Sequence, residues 1–127
     1  MRKSKVIKII KKAASCLLSV LTVAVIGSVI ITGYQTGKPT VFGYRPMFVC
    51  SGSMEPTIKT FSIVVGVPVD AEDVHVGDIC TYTRGSTMIC HRVVDITDEG
   101  FIFRGDNNST DDPPVAPEQI GYKVIWY

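Results

Sequence analysis

At 127 residues the chain has the length of a single domain. Its formal net charge of +1 argues against nucleic acid as a partner, because the basic footprint such a surface needs is missing. The charge is unevenly spread, however: Arg2, Lys3, Lys5, Lys8, Lys11 and Lys12 crowd the start, and all 12 acidic residues lie at Glu55 or later.

The basic segment, residues 1–12, is followed by AASCLLSVLTVAVIGSVIIT, residues 13–32, which carries no charge and no proline. At about 1.5 Å rise per residue this run reaches roughly 30 Å, the hydrocarbon thickness of a bilayer. It is longer than the apolar core of a cleavable signal peptide, about 7–15 residues, and ITGYQTGKP after it offers no A-x-A cleavage site. The expectation is an uncleaved, single-pass transmembrane helix. Because lysines and arginines stay on the cytoplasmic side, residues 1–12 form a cytoplasmic tail and residues 33–127 an extracytoplasmic domain.

That outer part reads as strands. Phe61–Val69, Gly77–Thr83, Thr87–Thr97, Gly100–Gly105 and Gly121–Tyr127 are short β-branched or alternating runs broken by Gly, Pro and Asp. Nothing outside the anchor has helical periodicity, so the expected fold is mainly β: one N-terminal helix followed by a small all-β domain. Arg84-Gly85 marks a hairpin. A three-residue loop, Arg84-Gly85-Ser86, would set Cys80 opposite Cys90, within reach of a disulfide, whereas a two-residue loop would separate them. The pairing stays open at this point, with two free thiols as the plainer reading. Cys16 lies in the membrane run, and the odd number of outer cysteines leaves at least one unpaired. No cysteine or histidine spacing matches a zinc site, so neither a metal nor a cofactor is expected.

Chemistry without a metal or cofactor needs a nucleophile, a base and a group that orients the base. The histidines are His75, in the acidic connection Pro68–Asp78 and expected to be solvated, and His91, inside the apolar strand MICHRVVDI. Alone, a strand histidine is usually structural, SGSMEP is a turn, and FRGDNNSTDD is a Gly/Asn/Asp-rich loop.

Taken together and in order, SGSMEPTI, VGDICTYT, CHRVVDI, FRGDNNSTDD and PPVAPEQIGYKV resemble the conserved boxes of the type I signal peptidases, in particular the endoplasmic-reticulum-type branch found also in archaea and some Gram-positive bacteria. The resemblance covers residues 45–125 or so. It implies that Ser53 is the nucleophile and that His91 is the general base, in a place where the main bacterial branch has lysine. Asp106 and Asp112 match the family's two aspartates, with Asp112 as first choice to orient the imidazole and Asp106 holding the acidic turn or sharing the role; Asp111 is told from Asp112 by spacing alone. The Ser53 N–H and the Ser51 hydroxyl are the oxyanion donors it implies. An imidazole has an unperturbed pKa near 6.5 and is ready to accept a proton at neutral pH, whereas a lysine would first have to be desolvated.

Gly52 would allow a sharp turn at Ser53, Pro56 would stiffen it, and Met54 is expected to dip toward lipid. The activity implied is removal of N-terminal signal peptides from preproteins, at the plasma membrane or, in a eukaryote, the endoplasmic reticulum membrane. The partners implied are preprotein signal peptides and the lipid bilayer, and eukaryotic relatives work with further subunits. Phe61-Ser62 stand where relatives commonly have a glycine–acid pair. Both a truncated sequence and a single-pass member fit the end at Tyr127. A serine–lysine peptidase using Lys38, Lys59 or Lys123 is one rival, and a non-catalytic, membrane-tethered β domain that binds a protein partner is another.

Overall fold

The computed structural model describes residues 2–127; within the expected basic tail, Met1 and the side chains of Arg2 and Lys3 lie outside the described residues. The chain forms two units that meet between Phe42 and Gly43 in the sequence.

The first unit is a helix, α1, spanning Arg2–Thr36. The uncharged run cannot satisfy its backbone in lipid except by forming one, and the helix extends through the basic segment before it. Ser4–Thr36 is long and apolar enough to cross a membrane, and the most apolar stretch of it is buried nowhere against protein. The polar residues scattered through its second half have a use. Ser28 accepts the Phe42 N–H at 2.8 Å and Thr32 accepts the Thr40 N–H at 2.9 Å. The chain therefore turns back at Gly37, whose φ of 66° suits a residue without a Cβ, and residues 40–42 are pinned to the end of the helix.

The second unit is a six-stranded antiparallel sheet in the order β1-β2-β6-β3-β4-β5. Its strands are β1 Arg45–Phe48, β2 Ile63–Pro68, β3 Ile79–Arg84, β4 Thr87–Thr97, β5 Gly100–Arg104 and β6 Ile120–Trp126. The five strands expected from the sequence are present, and β1 is an addition. A proline inside RPMF speaks against a central strand, but β1 is an edge, where a missing N–H costs no ladder bond. One core cluster gathers Tyr82, Val93, Phe101, Phe103 and Val115. The other gathers Met54, Ile58, Val64, Ile79 and Val124. Met54 is thus a core residue, 2% exposed, and the expectation that it points to lipid is wrong. It plugs the second cluster directly beside Ser53.

The β3–β4 hairpin has the two-residue loop Gly85-Ser86, with Arg84 opposite Thr87 and Thr83 opposite Met88. Cys80 therefore faces His91, Cys90 faces Thr81, and Cys16, Cys50, Cys80 and Cys90 are all free thiols. Burial pushes the Cys80 thiol up to about 12 and the Cys90 thiol up to about 11. The register also bears on the site. β5 pairs with β4 only over Arg92–Thr97, so Thr87–His91 has β3 on one side and an open edge on the other.

Candidate active site

Three segments converge at that open edge. The first is the loop from Cys50 to Ser62. It is wound tightly by Glu55 N–H to Gly52 O (3.1 Å) and Ile58 N–H to Met54 O (2.9 Å), which sends both Met54 and Ile58 into the core. The Glu55 carboxylate closes the loop by accepting the Thr60 N–H and hydroxyl, and these bonds hold its pKa below the usual carboxylate range. Ser53 sits on the outer turn of this loop. Gly52 serves by closeness: a Cβ there would come within 3.3 Å of the Thr60 hydroxyl and 3.5 Å of the Glu55 carboxyl carbon.

The second segment is β4. Successive strand side chains point to opposite faces, and here the alternation separates His91 from Arg92. His91 is 6% exposed. Its Nε2 lies 3.0 Å from Ser53 Oγ and its Nδ1 lies 2.6 Å from Asp112 Oδ2. Nδ1–H therefore donates to the carboxylate, and Nε2 is left to accept the serine proton. His75, by contrast, is an exposed residue of the acidic connection.

The third segment is the loop after β5. The Asp112 N–H donates to Phe103 O at 2.7 Å, which fixes the aspartate beside the sheet. Asp111, its neighbour, turns away to Arg104 at 3.3 Å, so of the two it is Asp112 that contacts His91. Asp106 is not part of the His91 contact. It takes a bidentate pair from Arg92, Nε at 2.8 Å and Nη2 at 2.7 Å, while Arg92 Nη1 donates to Gly77 O at 2.9 Å. Arg92, aided by Thr57 and opposed by burial, holds the Asp106 carboxyl below its ordinary value.

Two residues that the sequence presents only as turn formers tie the loops together. Asn107 donates its N–H to Ser53 O at 2.9 Å and its Nδ2 to Gly52 O at 3.1 Å. Gly105 lies so close that a Cβ would fall 2.5 Å from Ser53 O. Their partners are more than fifty positions away in sequence, and no local pattern could have pointed to them.

Ser51 Oγ lies 3.3 Å from Ser53 Oγ, so the two hydroxyls share one side of the turn. Lys123 is paired with Asp78 at 2.7 Å. A cleft of about 510 Å³ opens in front of Ser53 and His91. Edge strand β1 with Val49 and Cys50 forms one wall, Thr87–Cys90 of β4 the other, and Met54, Ile58 and Val64 the apolar floor.

No family model and no solved structure matches the chain. Among curated proteins, Signal peptidase I W of Bacillus subtilis (strain 168) is 39% identical over 111 residues, covering 82% of this chain and 56% of that protein. The chain thus spans a little over half the length of the relative it matches.

Proposed function

We propose that this chain, a relative of the type I signal peptidases, is a membrane-anchored serine endopeptidase of the Ser-His-Asp kind that removes N-terminal signal peptides from preproteins. One observation carries the reading: Ser53 Oγ, His91 and Asp112 form a continuous line of contacts at 3.0 and 2.6 Å at the mouth of a cleft. A serine with no base beside it is an inert hydroxyl, and a base that can swing is a poor one.

Ser53 Oγ attacks the scissile carbonyl carbon while its proton passes to His91 Nε2. The imidazolium that forms is steadied through Nδ1–H by Asp112. The carbonyl oxygen becomes an oxyanion, for which the Ser53 N–H and the Ser51 hydroxyl are the donors. When the intermediate collapses, the C–N bond breaks and the leaving amine takes the proton from Nε2. Water then attacks the acyl-serine and gives a proton to His91; the ester C–O bond breaks, Ser53 Oγ takes that proton from His91, and the signal peptide leaves with a free carboxyl group.

The substrate binds extended. Both walls of the cleft are strand edges, to which an extended peptide can add its own backbone as a further strand. In this reading residues 1–12 lie in the cytoplasm, residues 13–32 cross the membrane, and residues 33–127 work outside it, at the plasma membrane or its equivalent. The anchor confines the enzyme to the surface where signal helices end, which raises the effective concentration of each for the other. His91 in place of lysine supports reading the chain as one of the endoplasmic-reticulum-type branch.

The test is incubation of the full chain in detergent with a labelled preprotein, wild type beside Ser53→Ala and His91→Ala. Cleavage by the wild type, lost in both variants with folding retained, is the expected result. Binding of the preprotein without turnover by the wild type would instead make this a non-catalytic tethered domain.

A further inference from the structure

Tyr82 is a buried polar residue that the reaction above does not use. It stands on β3 with 0% of its surface exposed. Its ring packs on Phe103 with centroids 4.7 Å apart and meets the His91 ring edge-on at 6.4 Å. Arg84 lies over the same ring at 5.4 Å, and its Nη2 donates to Pro113 O at 3.0 Å. The phenol oxygen is sealed from solvent and meets no acceptor at full hydrogen-bond geometry among the described residues. Asp112 nevertheless acts on it. Burial raises the phenol pKa most, and hydrogen bonding and charge from Asp112 raise it further. The geometry brings the ring to the same place: it touches His91, whose Nδ1 holds Asp112, and lies under Arg84, which binds the next residue, Pro113. A phenylalanine would fill the same space without an unpaired polar atom, so the hydroxyl needs a reason to be there.

We infer that Tyr82 is a positioning residue: its hydroxyl donates to the Asp112 oxygen that His91 does not use, and Arg84 clamps the tyrosine ring and the Asp112–Pro113 backbone together. This rests on the roles given above to Ser53, His91 and Asp112. A carboxylate held at one oxygen can still rotate about its Cβ–Cγ bond. Held at both, it fixes the direction in which His91 presents Nε2 to Ser53. Tyr82 thus acts on the reaction only through Asp112 and touches no substrate.

The test is Tyr82→Phe in the full chain in detergent, read by kcat and KM on a labelled preprotein, by thermal melting, and by the downfield proton resonance of the His91 Nδ1–H that bridges to Asp112. His75 is exposed, so its ring protons exchange too fast to give such a signal. Expected are a kcat lower by roughly tenfold or more, the worth of one hydrogen bond to a charged group, an unchanged KM, and a melting temperature that falls by less than the loss of rate would require. The bridging resonance should move upfield and exchange faster with water. In an Asp112→Ala background the same substitution should cost nothing more. Wild-type kcat, an equal loss without Asp112, or a loss of activity that tracks a loss of melting temperature would each overturn the inference. If the wild type cuts no preprotein, the peptidase reading fails on its own, and the resonance still decides: displaced in Tyr82→Phe it supports the clamp, and unmoved it refutes it.

Discussion

Replacing Gly105 with alanine would put a Cβ 2.5 Å from the Ser53 carbonyl oxygen and 2.8 Å from Asn108 Nδ2. The asparagine amide ends a side chain and can turn aside. The Ser53 carbonyl is backbone, and it must retreat by roughly an ångström to regain ordinary contact. The same oxygen accepts the Asn107 N–H at 2.9 Å, so the retreat strains or breaks that bond. Carbonyl and hydroxyl belong to one residue, and Ser53 Oγ is drawn off its 3.0 Å contact with His91 Nε2. A displacement of about 1 Å at a reacting atom costs on the order of 10²-fold in rate. Overpacking a tight contact costs about 1–3 kcal/mol of stability, and in a domain this small each kcal/mol is worth about 4–8 °C of melting temperature. Preprotein cleavage at saturating substrate, run beside a melting curve, should show the rate falling far more than the stability explains. Gly85→Ala is the control. It has a φ of 61° and nothing near a would-be Cβ, so it should cost about 1 kcal/mol of backbone strain and leave turnover alone. Turnover of Gly105→Ala within twofold of wild type would refute the claim that the two loops are rigidly coupled at Ser53.

Asp112→Asn should lower kcat by about 10²–10⁴-fold, because the amide favours the wrong imidazole tautomer, while Asp111→Asn, which loses only the contact to Arg104, should cleave normally; equal losses would undo the assignment. Asp106→Asn should cost about 1 kcal/mol near neutral pH. Folding lowers the Asp106 pKa, so its contribution is full above the ordinary carboxylate range and fades as pH falls through the folded value. The melting difference from wild type should therefore start to narrow only below about pH 4 and close as the folded carboxyl is protonated, and a gap that does not narrow on acidification would show that the Arg92 pair is not its source. Alkylation at pH 8 should label Cys50 at least tenfold faster than Cys80 or Cys90, whose thiols burial has pushed up to about 12 and about 11. Denaturation should equalise the rates, and equal rates in the native protein would contradict the burial.

Much of this site could be read from the sequence, because its chemistry resides in residues whose order along the chain carries a resemblance. Ser53, His91 and Asp112 are such residues, and the strands around them have the composition of strands. What escaped the sequence is set by register and by contact at a distance. The loop at Gly85 could have held two residues or three, and only the folded pairing decides whether Cys80 faces Cys90 or His91. β1 is four residues containing a proline, a pattern weaker than the noise around it until β2 is placed alongside. Met54 stands in an irregular loop, where no periodicity says which side chains turn inward. Gly105 and Asn107 read locally as a turn, and their use lies in the backbone of residues 52 and 53.

The alternation of β4 explains how few elements suffice to align the site. His91 points inward to Ser53 and Asp112, and Arg92, the next residue, points outward to Asp106 and Gly77 O. One strand therefore sets His91 and also moors the loop that carries Asp112. On this reading the two aspartates of the acidic box divide the work: Asp106 fixes where the loop begins, and Asp112 uses that fixed position to aim the imidazole. A lysine at position 91 would have no ring nitrogen to offer Asp112 and no tautomer to select. In the proposed mechanism the Asp112 N–H bond to the Phe103 carbonyl and the Arg84 bond to Pro113 keep the carboxylate where the His91 imidazole meets it.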